Sequence, residues 1–128
     1  MSLIRALFVF LTVLAASPTH ANGTASATAV LSLLDYIALE YPQFVRNGEV
    51  VDAGEFQEQV EFSARAAALI GNLPDHPRKV DLPREAKELA TDVNARREAT
   101  AIIERTGRLK TALIEAYAIP SRPPHRQR

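Results

Sequence analysis

A chain of 128 residues with 47% hydrophobic content has room for one domain and its core. It contains no cysteine, which excludes a disulfide framework, a thiolate metal site, covalent haem attachment and a cysteine nucleophile. Fifteen bases balance fifteen acids, so no bulk attraction to nucleic acid or to an anionic membrane is expected.

The charge is unevenly placed. Leu33–Phe62 holds seven acids against the single base Arg46, whereas Arg96–Arg128 holds eight bases against three acids. The domain is therefore expected to be electrically two-ended.

Met1–Ala21 has the pattern of a signal peptide. Arg5 supplies a short basic region, Ala6–Ala16 is apolar, and Thr19-His20-Ala21 offers the small residues that a signal peptidase accepts. The apolar run is about 11 residues, short of the roughly 20 needed to span a bilayer. Cleavage is expected after Ala21, which gives an exported, periplasmic product, Asn22–Arg128, with no membrane span.

Asn22–Ser26 is small and polar and is expected to fray. Val30, Leu33, Leu34, Ile37, Ala38 and Tyr41 then fall on one face of a helix. Pro42 is expected to end it, because a proline pushes the residue before it out of the helical region. Asn47-Gly48 is a turn signal; flanked by Phe44-Val45 and Val50-Val51 it fits either a very short hairpin or a plain loop.

Asp52-Ala53-Gly54-Glu55 has the form of a capping box, which starts a second helix that should run to about Asn72, before Pro74. Its apolar rows are Phe56, Val60, Ala64, Ala67 and Gly71, and beside them Phe62, Ala66, Leu69 and Leu73. Asp81 can cap a third helix with Pro83 in its first turn and Ala86, Leu89, Ala90 and Val93 on its apolar face. Ile102, Ile103, Leu109, Leu113, Ala116 and Tyr117 form a fourth set. A single helix over Leu82–Tyr117 would be roughly 50 Å long and overshoot the second helix, at about 30 Å. A break near Asn94 is therefore favoured over one at Gly107. The tail 119–128, proline-rich and basic, is expected to be disordered. The predicted fold is all-α, an up-and-down bundle of four helices over 22–118, or of three if the last two are continuous.

Few constellations carry chemistry. Glu55, Glu58 and Glu61 recur along the second helix, and Asp35 and Glu40 near the end of the first could join them if the two helices pack antiparallel. Hard cations take several carboxylate oxygens, so these acids are candidate ligands; an ordinary solvated face, with Asp52 and Glu55 as caps, is the competing explanation. Arg84-Glu85-Ala86-Lys87-Glu88 matches the Arg-Glu-x-x-Glu form found in iron permease membrane helices, but here it opens a soluble helix, where first-turn acids suit the helix dipole. His76 and His125 lack a third partner for a metal, and Met1 is the only methionine. No serine has a histidine or a glycine elbow beside it, and there is no glycine-rich phosphate loop. Nothing supports an enzyme.

One stretch carries more. Leu34-Asp35-Tyr36-Ile37-Ala38, Glu40-Tyr41-Pro42, Asn47-Gly48-Glu49-Val50-Val51, Glu55-Phe56, Glu58 and Glu61-Phe62 resemble the N-terminal extracytoplasmic helical domain of bacterial high-affinity iron permeases. Leu113-Ile114-Glu115-Ala116-Tyr117 with Ile119-Pro120 resembles the exit of that domain toward a c-type cytochrome. In that family the cytochrome and then the membrane permease follow, and neither is present in this chain. The resemblance implies a free-standing version of the domain or part of a split gene. It also implies an accessory role in iron uptake, either binding or relaying iron or docking to an iron permease membrane subunit or a c-type cytochrome. Iron is the implied ligand, without haem. Asp35, Glu40, Glu58 and Glu61 are its expected carboxylate ligands or docking acids, with Tyr36 and Tyr41 as packing residues around them. The alternative is a metal-free interaction module whose two charged ends meet complementary surfaces.

Overall fold

A computed structural model describes residues 19–77 and 81–117 of the chain. Most of the expected signal peptide and the basic tail 119–128 lie outside the described residues. Four helices are present: α1 (Thr19–Phe44), α2 (Ala53–Gly71), α3 (Asp81–Asn94) and α4 (Ala99–Tyr117). Two short strands, β1 (Val45–Arg46) and β2 (Glu49–Val50), join α1 to α2. α1 packs against α2 and α4, and α3 packs against the same two helices. Cross-helix pairs such as Tyr36 with Phe62, Asp35 with Lys110 and Asp92 with Arg105 make neighbouring helices antiparallel. The architecture is the expected up-and-down four-helix bundle.

α1 differs from expectation at both ends. Its helix starts at Thr19 and already covers Asn22–Ser26, where a frayed segment is expected, and Ala27 is fully buried. At the other end Pro42 lies inside the helix instead of ending it. The local penalty on Tyr41 is overridden by packing, because Tyr41 is fully buried and its hydroxyl donates to the Arg97 carbonyl at 2.5 Å. Only the last turn lies beyond the proline, so little intrahelical bonding is lost. The carbonyl of Phe44 accepts instead from the Val51 N–H at 2.8 Å.

The connection that follows is the hairpin. β1 and β2 pair antiparallel, Val45 opposite Val50 and Arg46 opposite Glu49. Asn47 and Gly48 have φ of 52° and 78°, the left-handed conformations that a two-residue hairpin turn demands and that these residue types tolerate. Val45 turns into the core and anchors the hairpin there. Asp52 caps α2 as its sequence predicts: it is extended, and its Oδ1 accepts from the Glu55 N–H at 3.0 Å.

The chain between Leu82 and Tyr117 is two helices, broken where expected. Arg96 adopts φ 59°, its N–H bonds to the Val93 carbonyl, and the Arg97 N–H reaches back to the Asp92 carbonyl. This paired closure ends α3 with an arginine in the place that glycine usually takes. The Arg96 guanidinium lies 5.7 Å from the centre of the Phe56 ring, a contact that helps offset the unfavourable backbone. The amide of Asn94 donates back to the Ala90 carbonyl at 2.9 Å.

The core is aliphatic, built from Val30, Leu34 and Ile37 of α1, Ala66 and Ile70 of α2, Leu82, Leu89 and Val93 of α3, and Ile102, Leu109 and Leu113 of α4. Its polar members are Gln59, Ser63 and Thr106. The α2 core row is Gln59, Ser63, Ala66 and Ile70, of which only Ala66 belongs to the two apolar rows expected from sequence. Ala64 and Gly71 of those rows are exposed, and so is Ile103 of α4.

Replacing Asp52 by Ala should lower stability by about 1 kcal/mol in urea denaturation, with Asp52→Asn nearly neutral. Burial, helped by Glu98 and Asp92, pushes the Tyr41 phenol up to about 12, against about 10 in an unfolded chain. The neutral phenol therefore contributes stability that is complete below pH ~10 and is lost as pH rises through about 12. Stability should fall across that window, and Tyr41→Phe should flatten the fall while costing about 1 kcal/mol at neutral pH.

Candidate functional site

Two kinds of acidic surface share the bundle. On the α3/α4 side Glu88 and Asp92 are neutralised between helices. Arg105 bonds to Asp92 Oδ2 and Glu88 Oε1, each at 2.9 Å, and Arg97 and Arg84 add outer contacts to the same two acids at 3.7 and 3.6 Å. Asp92 and Arg105 are largely covered, so this is a clamp between helices and not a solvated pair. It also absorbs the Arg-Glu-x-x-Glu match, since Arg84 pairs along its own helix with Asp81 and Glu88.

On the α1/α2 side the acids are not neutralised. Asp35 alone in Leu33–Phe62 forms an ion pair among the described residues, with Lys110 of α4. That pair is largely exposed and is expected to add little stability. Glu40, Glu49, Asp52, Glu55, Glu58 and Glu61 have no ion-pair partner there. The cap geometry brings Asp52 and Glu55 together at the hairpin end, and antiparallel packing adds Glu40 from α1. The carboxyl of Glu55 is raised above its ordinary range, first by Glu58, then by partial burial, Asp52 and Glu40. Those negative charges share one region of surface with too little compensation.

The four candidate ligands are distributed as follows. Glu40 is half-buried and accepts from Gln59 Nε2 at 3.4 Å. Glu58 and Glu61 are exposed on α2. Asp35 faces the opposite side of α1, toward α4. Among the described residues no three histidine, aspartate or glutamate side chains stand together in a way that would hold a metal ion. Of the two tyrosines, Tyr41 is core, whereas Tyr36 is half exposed and packs its ring on Phe62 with centres 6.0 Å apart. Leu39, 69% exposed, adds apolar surface to α1.

Sequence reasoning missed Gln59. It is fully buried, and its Oε1 is the one buried side-chain polar atom with no hydrogen-bond partner among the described residues. Ser63 and Thr106, equally buried, donate to carbonyls three residues back in their own helices, both at 2.9 Å. The signal for Gln59 was present: stepping back from Ile70 through Ala66 and Ser63 at helical spacing lands on it. The opposite end of the bundle is closed by Tyr117, whose hydroxyl donates to the Pro74 carbonyl at 2.8 Å and whose ring lies 5.5 Å from that of His76.

Fold and charge distribution together define a helical-bundle module with one uncompensated acidic seam. The chain belongs to the iron permease-associated 4-helix bundle domain family, whose model matches residues 17–117. No curated protein and no solved structure matches the chain. No helix among the described residues is long and apolar enough to cross a membrane.

An orphaned buried oxygen costs stability, so Gln59→Leu, which fills the same space, should raise it by about 1 kcal/mol in metal-free buffer. A thermal melt with chelator present reads this directly.

Proposed function

We propose that this domain is a non-enzymatic accessory module of iron uptake, exported to the periplasm, that docks through its acidic α1/α2 seam to a cationic surface. Its partner in this reading is an iron permease membrane subunit or the c-type cytochrome that works with one. The observation that carries the reading is the contrast between the two sides of the bundle. Glu88 and Asp92 of α3 are spent on the arginine clamp, while six acids on and between α1 and α2 are left for something outside the fold. Such a surface steers and orients an oppositely charged partner, and the exposed Tyr36 and Leu39 beside it supply apolar contact. Family membership supports the link to iron permeases.

A second reading has the same acids bind or relay iron directly, without haem. It is favoured by one specific observation, the crowding of Glu55 with Glu58, Asp52 and Glu40, which raises the Glu55 carboxyl.

Docking is tested by the double variant Glu58→Gln/Glu61→Gln, both sites being exposed and outside the core. Binding to the purified permease or cytochrome should weaken by about tenfold, and its dependence on salt should flatten. Unchanged affinity and unchanged salt dependence for both partners would remove the docking reading.

A further inference from the structure

We propose that the α1/α2 seam is self-complementary and closes on a second copy of this chain, with α2 of the two copies antiparallel and Arg65 of each meeting Glu58 of the other. The proposal goes beyond the docking reading and does not rest on it.

Two stripes run along the outside of the seam. On α2, Glu58, Phe62, Arg65 and Leu69 recur at i, i+4, i+7 and i+11, one helical row. On α1, Leu33, Tyr36 and Glu40 run the other way beside them. The Tyr36 and Phe62 rings meet in the middle. Beyond them, toward the C-terminal end of α2, Ala29, Ser32, Leu33, Arg65 and Leu69 line an open, mostly apolar groove. Arg65 is exposed and has no ion-pair or hydrogen-bond partner among the described residues, although Glu61 stands four positions before it, the spacing at which helix charges pair. The seam thus carries acids at the hairpin end, an aromatic pair at its centre and an unspent cation beyond.

That order selects the occupant. A partner must offer an apolar centre with a cation on one side and acids on the other, in reverse order. The seam itself, turned end over end, does so. A two-fold contact repeats every pairing, so that residue i meets j and j meets i. With the axis across the helices near Phe62, Arg65 and Glu58 come level, since one lies three residues after Phe62 and the other four before it. Each aromatic pair then lies against its own copy, and each acidic end lies over a groove that holds no acid. The two Glu55 positions are roughly 20 Å apart at 1.5 Å per residue, beyond the ~8 Å screening length of physiological salt. An axis along the helices would instead set acidic end on acidic end, so the charges favour the first arrangement.

The test is sedimentation of the purified chain over a range of concentrations at low salt. A reversible monomer–dimer equilibrium is expected, weakened by added salt. Arg65→Glu and Glu58→Lys should each weaken the dimer at least tenfold, and Arg108→Glu, on the exposed face of α4, should leave it unchanged. An equimolar mixture of the Arg65→Glu and Glu58→Lys chains should dimerise again, because each altered residue then meets its opposite charge while the other pair stays native. Arg65 and Glu58 are both exposed, so neither change acts through the core. A chain that stays monomeric at every concentration would overturn the proposal and leave the groove to a partner of other chemistry. A dimer indifferent to both changes would overturn it too, as would a mixture that fails to dimerise. Binding to the permease or cytochrome is not read in this experiment, so the proposal can fail while docking stands.

Discussion

The bundle depends on how the Tyr41 hydroxyl is satisfied. Tyr41 is among the largest fully buried side chains, and a phenol cannot be sunk in an aliphatic core without a partner for its O–H. The partner is the Arg97 carbonyl, in the connection between α3 and α4, 56 residues away in sequence. That single bond ties the last turn of α1 to the point where the chain reverses for the final time. It explains why the helix continues through Pro42, since releasing Tyr41 would cost more than the proline does. It also fixes the end of α1 from which the hairpin springs, and so the placing of Asp52, Glu55 and Glu40.

The electrostatics divide along the same lines. Asp92 sits next to the Tyr41–Arg97 junction and is held by Arg105 and Arg97, so with Glu88 it belongs to the framework. Nothing comparable reaches the acids of α1 and α2. Seven acids and one base in Leu33–Phe62 could be read from the sequence, but not which acids would be neutralised. Lys110 takes Asp35 from across the α1/α4 seam, a pairing that no spacing rule could supply.

What was legible follows from the range of each interaction. The Asp52 cap, the Asn47-Gly48 turn and the break near Asn94 are local, and each acts through the chemistry of a few neighbouring residues. The apolar faces of α1 and α3 were legible because their periodicity is clean. Of the true α2 core row only Ala66 was read as core, because that row contains Gln59 and Ser63, which a pattern of apolar residues passes over. Pro42 departed from expectation for the opposite reason, since its local preference was strong and tertiary packing decided otherwise. Arg105 carried no local signal at all, because its meaning depends on α3 lying beside it.

The two unexplained costs in the fold lie close together. The Glu55 carboxyl is raised from its ordinary value, first by Glu58, and Gln59, one turn on, buries an oxygen with no partner. A core built for stability alone would place an aliphatic residue at Gln59, as it does at Ile70 in the same row. Repulsion among the carboxylates is relieved by positive charge brought from outside, whereas the Gln59 oxygen, on the end of the amide turned away from Glu40, is not. A cationic protein surface can relieve the carboxylates, but it cannot enter the core to reach the amide.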